Sequence, residues 1–179
     1  MGYAVEVYFD PQAEARVRLL WQRLADQGIS SPLSAAGSRP HVSLAVFERG
    51  DPVRLREELA ALVPRCPPLS LLFSSVGAFP TQEGVVFLAP VVTPGLLEVH
   101  RRFHGQLQEA GIRSLEHYRP GRWVPHCTVA TNLAPAQTAL AMEVCVASSA
   151  FGPATLTEIG LVEFRPVRSI CALPLRALL

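Results

Sequence analysis

At 179 residues, with 49% apolar and 17% charged residues, the chain can bury one well-packed domain, and its composition excludes a disordered protein. A net charge of +1 excludes bulk electrostatic attraction to nucleic acid as the basis of any binding. All 16 basic residues are arginine, which excludes a Schiff base, a phosphate-loop lysine and ATP-driven ligation through a nucleotidyl-lysine.

The absence of lysine beside abundant Ala, Pro, Gly and Arg fits a GC-rich bacterial genome. No stretch approaches 18 uninterrupted apolar residues, and the N-terminus shows no basic region followed by an apolar core. A cytoplasmic protein is the expectation. Cys66, Cys127, Cys145 and Cys171 have no paired spacing, so free thiols are expected rather than a disulfide scaffold or a zinc site.

Strands and helices alternate along the chain. A strand is predicted over 3–9, followed by Asp10-Pro11, a helix cap with proline in the first turn. The helix places Val17, Leu20, Trp21 and Leu24 on one face and stops near Gly28. A strand follows over 39–47. Asp51-Pro52 repeats the cap before a helix lined by Leu55, Leu59, Leu62 and Val63. Strands over 69–79 and 84–92 are joined by a turn at 80–83. Thr93-Pro94 starts a third helix with Leu96, Val99, Phe103, Leu107 and Ala110 in its stripe, and Gly111 ends it. An arginine-rich segment (113–122) leads to a strand over 123–130, a weaker helix over 135–146, and strands over 154–164 and 169–175.

Within this order one pattern occurs twice. Pro40-His41-Val42-Ser43-Leu44 returns 85 positions later as Pro125-His126-Cys127-Thr128-Val129. In an extended strand, residues i and i+2 share a face. Each copy therefore presents an imidazole beside a hydroxyl, while Val42 and Cys127 turn toward a core. Each copy is followed by a helix and then a strand containing a glycine, Gly77 or Gly160, at separations of 36 and 34 residues from the histidine. This reads as an internal duplication about a pseudo-twofold axis that brings both histidine strands to the middle. The expected fold is α+β: one bilobal domain over 1–179, with antiparallel or mixed sheets around a central cleft and helices outside.

Two imidazoles and two hydroxyls around one small anion are suited to breaking a phosphodiester without a metal. A neutral imidazole can take a proton from water while a protonated one gives a proton to the leaving oxygen. Ser43 and Thr128 would donate hydrogen bonds to the non-bridging oxygens.

The doubled His-x-(Ser/Thr)-aliphatic motif resembles that of the two-histidine phosphoesterase superfamily, which includes bacterial 2′-5′ RNA ligases and 2′,3′-cyclic phosphodiesterases. The resemblance runs over essentially the whole chain. It implies catalysis by His41 and His126, phosphate binding by Ser43 and Thr128, no cofactor or metal, and a nucleotide or RNA terminus as partner. In such relatives the acid and base roles swap in the ligating direction. Thr131 stands where RNA-ligase-like relatives often carry an arginine, which argues against a long RNA substrate and leaves small cyclic nucleotides and short ends equally open. The competing reading is a nucleotide-binding module of the same fold with little turnover.

Four further residues are candidates for holding substrate: Arg39 before the first motif, and Tyr118, Arg122 and Trp123 before the second, as phosphate forks or stacking platforms. His117 lies in the same segment. His100 and His104 stand one helical turn apart, but no carboxylate completes a His-Glu-x-x-His pattern, so a solvated helix face is expected there. A monomer with no obligatory protein partner is the expectation.

Overall fold

The first strand, β1 (Gly2–Phe9), is buried at every residue, because sheet neighbours cover both its edges and other elements cover both its faces. Asp10 stops it and starts α1 (Pro11–Asp26): one carboxylate oxygen accepts the N–H groups of Gln12 and Ala13, both at 3.0 Å, and the other accepts Thr155 N–H at 2.7 Å. The computed structural model describes residues 1–29 and 37–176.

The remaining elements follow the predicted order: β2 (His41–Phe47), α2 (Pro52–Leu62), β3 (Leu69–Phe79), β4 (Val85–Pro90), α3 (Pro94–Glu109), β5 (Cys127–Ala130), α4 (Pro135–Val146), β6 (Gly152–Phe164) and β7 (Arg168–Pro174). Proline opens all four of these helices, where its fixed φ suits the first turn and its missing N–H is not needed. Asp51 and Thr93 cap α2 and α3 as the sequence predicts. Helices α1, α2 and α3 each bury one apolar stripe and leave the opposite face to solvent, which places them outside the sheet.

Among the described residues, seven strands form one antiparallel sheet in the order β2-β1-β6-β3-β4-β5, with β7 also paired to β6. Strand β6 joins the two halves. Its Leu156 pairs with Phe9 of β1 on one edge and with Leu69 of β3 on the other. Near this junction Phe9 and Phe73 pack edge to face with centroids 5.3 Å apart. The sheet curls, so that its end strands β2 and β5 come back within packing distance of each other. The antiparallel member of the predicted alternatives is the one observed. Among the described residues, no helix is long and apolar enough to cross a membrane.

The second histidine strand is shorter than predicted. Residues 123–126 do not pair with β4, and β5 begins only at Cys127. The N–H groups of Arg122 and Trp123 both turn back to the Arg119 carbonyl, and Pro125 has no N–H to give to a ladder. His126 therefore lies just before its strand, whereas His41 is the first residue of β2.

Candidate active site

The two histidine motifs meet where β2 and β5 converge. Val42 and Cys127 are fully buried on the core side, as the alternation predicts. Cys127 presents a free thiol to that core. Burial pushes that thiol up to about 12, so it is not a nucleophile.

Both imidazoles are held in the same way. His41 Nδ1 lies 2.6 Å from the Arg39 carbonyl, and His126 Nδ1 lies 2.6 Å from the Val124 carbonyl, two residues back in each case. A carbonyl can only accept, so Nδ1 carries the hydrogen in both rings and Nε2 is the atom left for chemistry. Ser43 is buried two residues beyond His41, and Thr128 is half-buried two residues beyond His126.

The surroundings of the two rings differ. Phe79 and Phe87 form an aromatic wall against His126, with centroids 4.9 Å and 5.3 Å away. Burial, and then the His41 charge, hold His126 below the usual imidazole range, against the opposing effect of its bond to Val124. Against His41 stands a carboxylate instead: Glu6 Oε1 is 3.3 Å from His41 Nε2, and Glu6 Oε2 accepts a hydrogen bond from Tyr8 at 3.0 Å.

Sheet register explains the contrast. One row across the sheet reads Ser43, Glu6, Gly160; the matching row in the other half reads Thr128, Phe87, Gly77. Each glycine makes room for a ring. A Cβ at Gly77 would fall 2.6 Å from the Phe87 ring, and one at Gly160 would fall 2.7 Å from the Tyr8 ring.

Beside His126 a cleft of about 430 Å³ opens, walled by Thr128, Tyr118, Arg122, Phe79 and Val85 among others. His41 and Ser43 are not among its walls. They lie on the more enclosed β2 side, with the His41 side chain about 15% exposed. Burial, with Glu6 nearby, holds the Tyr118 hydroxyl above its ordinary range, so it is a donor at neutral pH.

The family follows from the whole chain. Residues 9–167 match the model of the 2′-5′ RNA ligase superfamily. The chain belongs to that superfamily. Among solved structures, Escherichia coli LigT in apo form matches with a TM-score of 0.65 and 16% identity over 98% of both chains. TT0787 of Thermus thermophilus matches with a TM-score of 0.63 and 18% identity over 99% of both chains. LigT complexed with 3′-AMP matches with a TM-score of 0.63 and 16% identity, over 98% of this chain and 97% of that one. No curated protein sequence matches the chain. At these identities the structures show a shared LigT-like fold, in keeping with a superfamily of phosphoesterases.

Within this superfamily member, the other candidate residues separate. Tyr118 and Arg122 reach the cleft with His126. Arg39 sits over the Tyr8 ring at 4.2 Å and pairs with Glu158 at 2.7 Å and Glu14 at 3.1 Å, so its charge is already engaged. The Trp123 indole lies flat on His100, 3.9 Å between centroids, and its N–H donates to the Ser43 carbonyl at 3.0 Å. It braces β2 from behind.

The solvated face expected for His100 and His104 is corrected. His100 is buried and half-buried His104 lies against it, with each Nε2 donating to a carbonyl, of Tyr118 and Leu44 respectively. The stack on Trp123 draws them inward. Among the described residues no group of three metal-ligating side chains occurs. Glu6, Tyr8, Phe79 and Phe87 are the site residues that motif reasoning missed. A carboxylate midway along the apolar strand Tyr3–Phe9 was the available signal for the first.

Proposed function

We propose that the protein is a metal-independent phosphodiesterase that hydrolyses 2′,3′-cyclic phosphates or 2′-5′ linkages of nucleotides or RNA ends, using His41 and His126. The carrying observation is the pair of matched Nδ1–carbonyl bonds, which fix both tautomers and leave two Nε2 atoms for proton transfer. One imidazole takes a proton from the attacking water as its oxygen bonds to phosphorus. The other gives a proton to the ribose oxygen as the P–O bond breaks. Each such transfer contributes about 10²–10⁴-fold.

Ser43 and Thr128 donate hydrogen bonds to the non-bridging oxygens, where charge grows in the transition state. Tyr118 offers a face to the base and Arg122 a fork to phosphate, in a cleft whose volume, about 430 Å³, suits a mononucleotide. The E. coli LigT structures with 3′-AMP, phosphate and ATP support a nucleotide in this fold. The two register rows support reading the chain as one bilobal domain of two pseudo-repeats.

The test is a substrate panel in EDTA, with 2′,3′-cyclic nucleotides and a 2′-5′-linked dinucleotide followed by phosphorus NMR. Turnover of at least one is expected. Tight calorimetric binding of nucleotides with no product after long incubation would overturn the reading and leave a binding module.

A further inference from the structure

We propose that Glu6 makes the two-histidine site unequal: its carboxylate keeps the His41 imidazole charged and so fixes His41 as the acid, leaving His126 as the base. This rests on the phosphodiesterase reading and adds a positioning residue to it.

Symmetry carries the argument. Both histidines donate from Nδ1 to the carbonyl two residues back. They differ at Nε2. On His41 it meets Glu6 Oε1 at 3.3 Å, so an imidazolium there has an acceptor for each of its N–H groups. On His126, Nε2 has no acceptor among the described residues, and two aromatic rings back the ring. A lone pair is the form that suits that wall. Opposed environments of this kind assign acid and base within a pair of titratable groups.

Packing does not require a carboxylate at position 6. The equivalent place in the other row is filled by Phe87. An acid is nevertheless buried here, and burial pushes its carboxyl up, against the His41 charge, the Tyr8 hydrogen bond and Arg39 in that order. Other titratable groups face the pair, among them buried Cys127, which burial pushes up to about 12 and so keeps as a neutral thiol. Tyr8 donates to Glu6 from its own strand, and Arg39, over the Tyr8 ring, is matched by Glu14 of α1 and Glu158 of β6. Tyr118, from the loop before β5, keeps its proton under the influence of burial and Glu6. Among the described residues, His41 Nε2 is thus the one imidazole nitrogen within ion-pair distance of Glu6.

In a turnover, that proton leaves His41 Nε2 for the ribose oxygen as the P–O bond breaks, while His126 takes one from water as the new P–O bond forms. Exchange with solvent then restores the starting state. Net, one water is consumed and the phosphodiester gains one hydroxyl and one phosphomonoester.

The experiment is nitrogen-15 NMR of histidine-labelled protein at about pH 6, with resonances assigned through single histidine substitutions. In the native protein His41 is expected as imidazolium, with both ring nitrogens protonated, and His126 as the neutral Nδ1–H tautomer. In Glu6→Gln, the imidazolium fraction of His41 is expected to fall while His126 stays neutral. Identical spectra for native protein and Glu6→Gln would overturn the inference, as would a charged His126 beside a neutral His41 in native protein.

The native spectrum needs no variant and Glu6→Leu is a second one, so misfolding of Glu6→Gln leaves the question decidable. No substrate is needed either, so the spectra decide the role of Glu6 even if every cyclic phosphate proves inert, an outcome that counts only against the enzymatic reading. Kinetically, the alkaline limb of kcat/KM for a 2′,3′-cyclic nucleotide is expected to move to lower pH in Glu6→Gln. At pH 7.5, kcat is expected to fall about 10- to 100-fold with KM little changed. Equal loss at every pH would indicate a merely structural carboxylate.

Discussion

His100 links acid stability to the integrity of the site. It is buried beneath the loop that carries Tyr118 to Trp123, stacks on Trp123, and is held down to about 4 by burial and by the His104 charge, from an ordinary 6.5. In the unfolded chain it takes up a proton near its ordinary value; in the folded protein it resists until about pH 4. A depressed imidazole contributes stability that is fully present above about pH 6.5 and is lost as pH falls toward 4. At 1.36 kcal/mol for each pH unit of difference, that loss amounts to about 2–3 kcal/mol by pH 4.5. The variant His100→Phe keeps a flat ring against Trp123 and removes the titration. It should cost about 1 kcal/mol at pH 7.5 through the lost bond to the Tyr118 carbonyl, yet be the more stable of the two by about 1–2 kcal/mol at pH 4.5, where the native protein has lost its larger share. Urea unfolding at the two pH values measures this directly. Native and variant stabilities that stay parallel between pH 7.5 and 4.5 would refute the reasoning.

Other outcomes follow from the same geometry. Ser43→Ala and Thr128→Ala should each lower kcat by about 10²–10³-fold in a cyclic-nucleotide assay, with folding intact by circular dichroism. Gly77→Ala should push the Phe87 ring, and with it the wall behind His126; the cost is about 1–3 kcal/mol in thermal unfolding together with a fall in kcat. Arg39→Met should leave KM for a mononucleotide within about threefold, because Glu14 and Glu158 already neutralise that guanidinium, and should appear instead as lost stability. Arg122→Met, at the cleft wall, should raise KM by about tenfold, equivalent to roughly 1.4 kcal/mol of binding.

The doubled Pro-His-x-hydroxyl pattern makes the middle of the site legible in the sequence, because strand alternation alone puts His41 beside Ser43 and His126 beside Thr128. The caps at Asp10, Asp51 and Thr93 and the prolines after them mark three helix starts for an equally local reason. What sequence could not supply is which side chains cross from neighbouring strands. Glu6 and Tyr8 reach His41 only because β1 pairs with β2 in one register, and Phe87 reaches His126 only through β4. Trp123 shows the same limit. A tryptophan directly after an arginine-rich segment suggested a stacking platform for a base, whereas the partners the fold gives it, His100 and the Ser43 carbonyl, lie 23 and 80 positions away.

The most direct test of the central claim is the rate of 2′,3′-cyclic nucleotide hydrolysis, in EDTA, by native protein and by the His41→Ala, His126→Ala and doubly substituted variants. The account predicts that native protein turns over, that each single substitution loses about 10²–10⁴-fold, and that the double variant loses little more than the worse single one, since the two imidazoles act as a unit. Full activity in the double variant would contradict it.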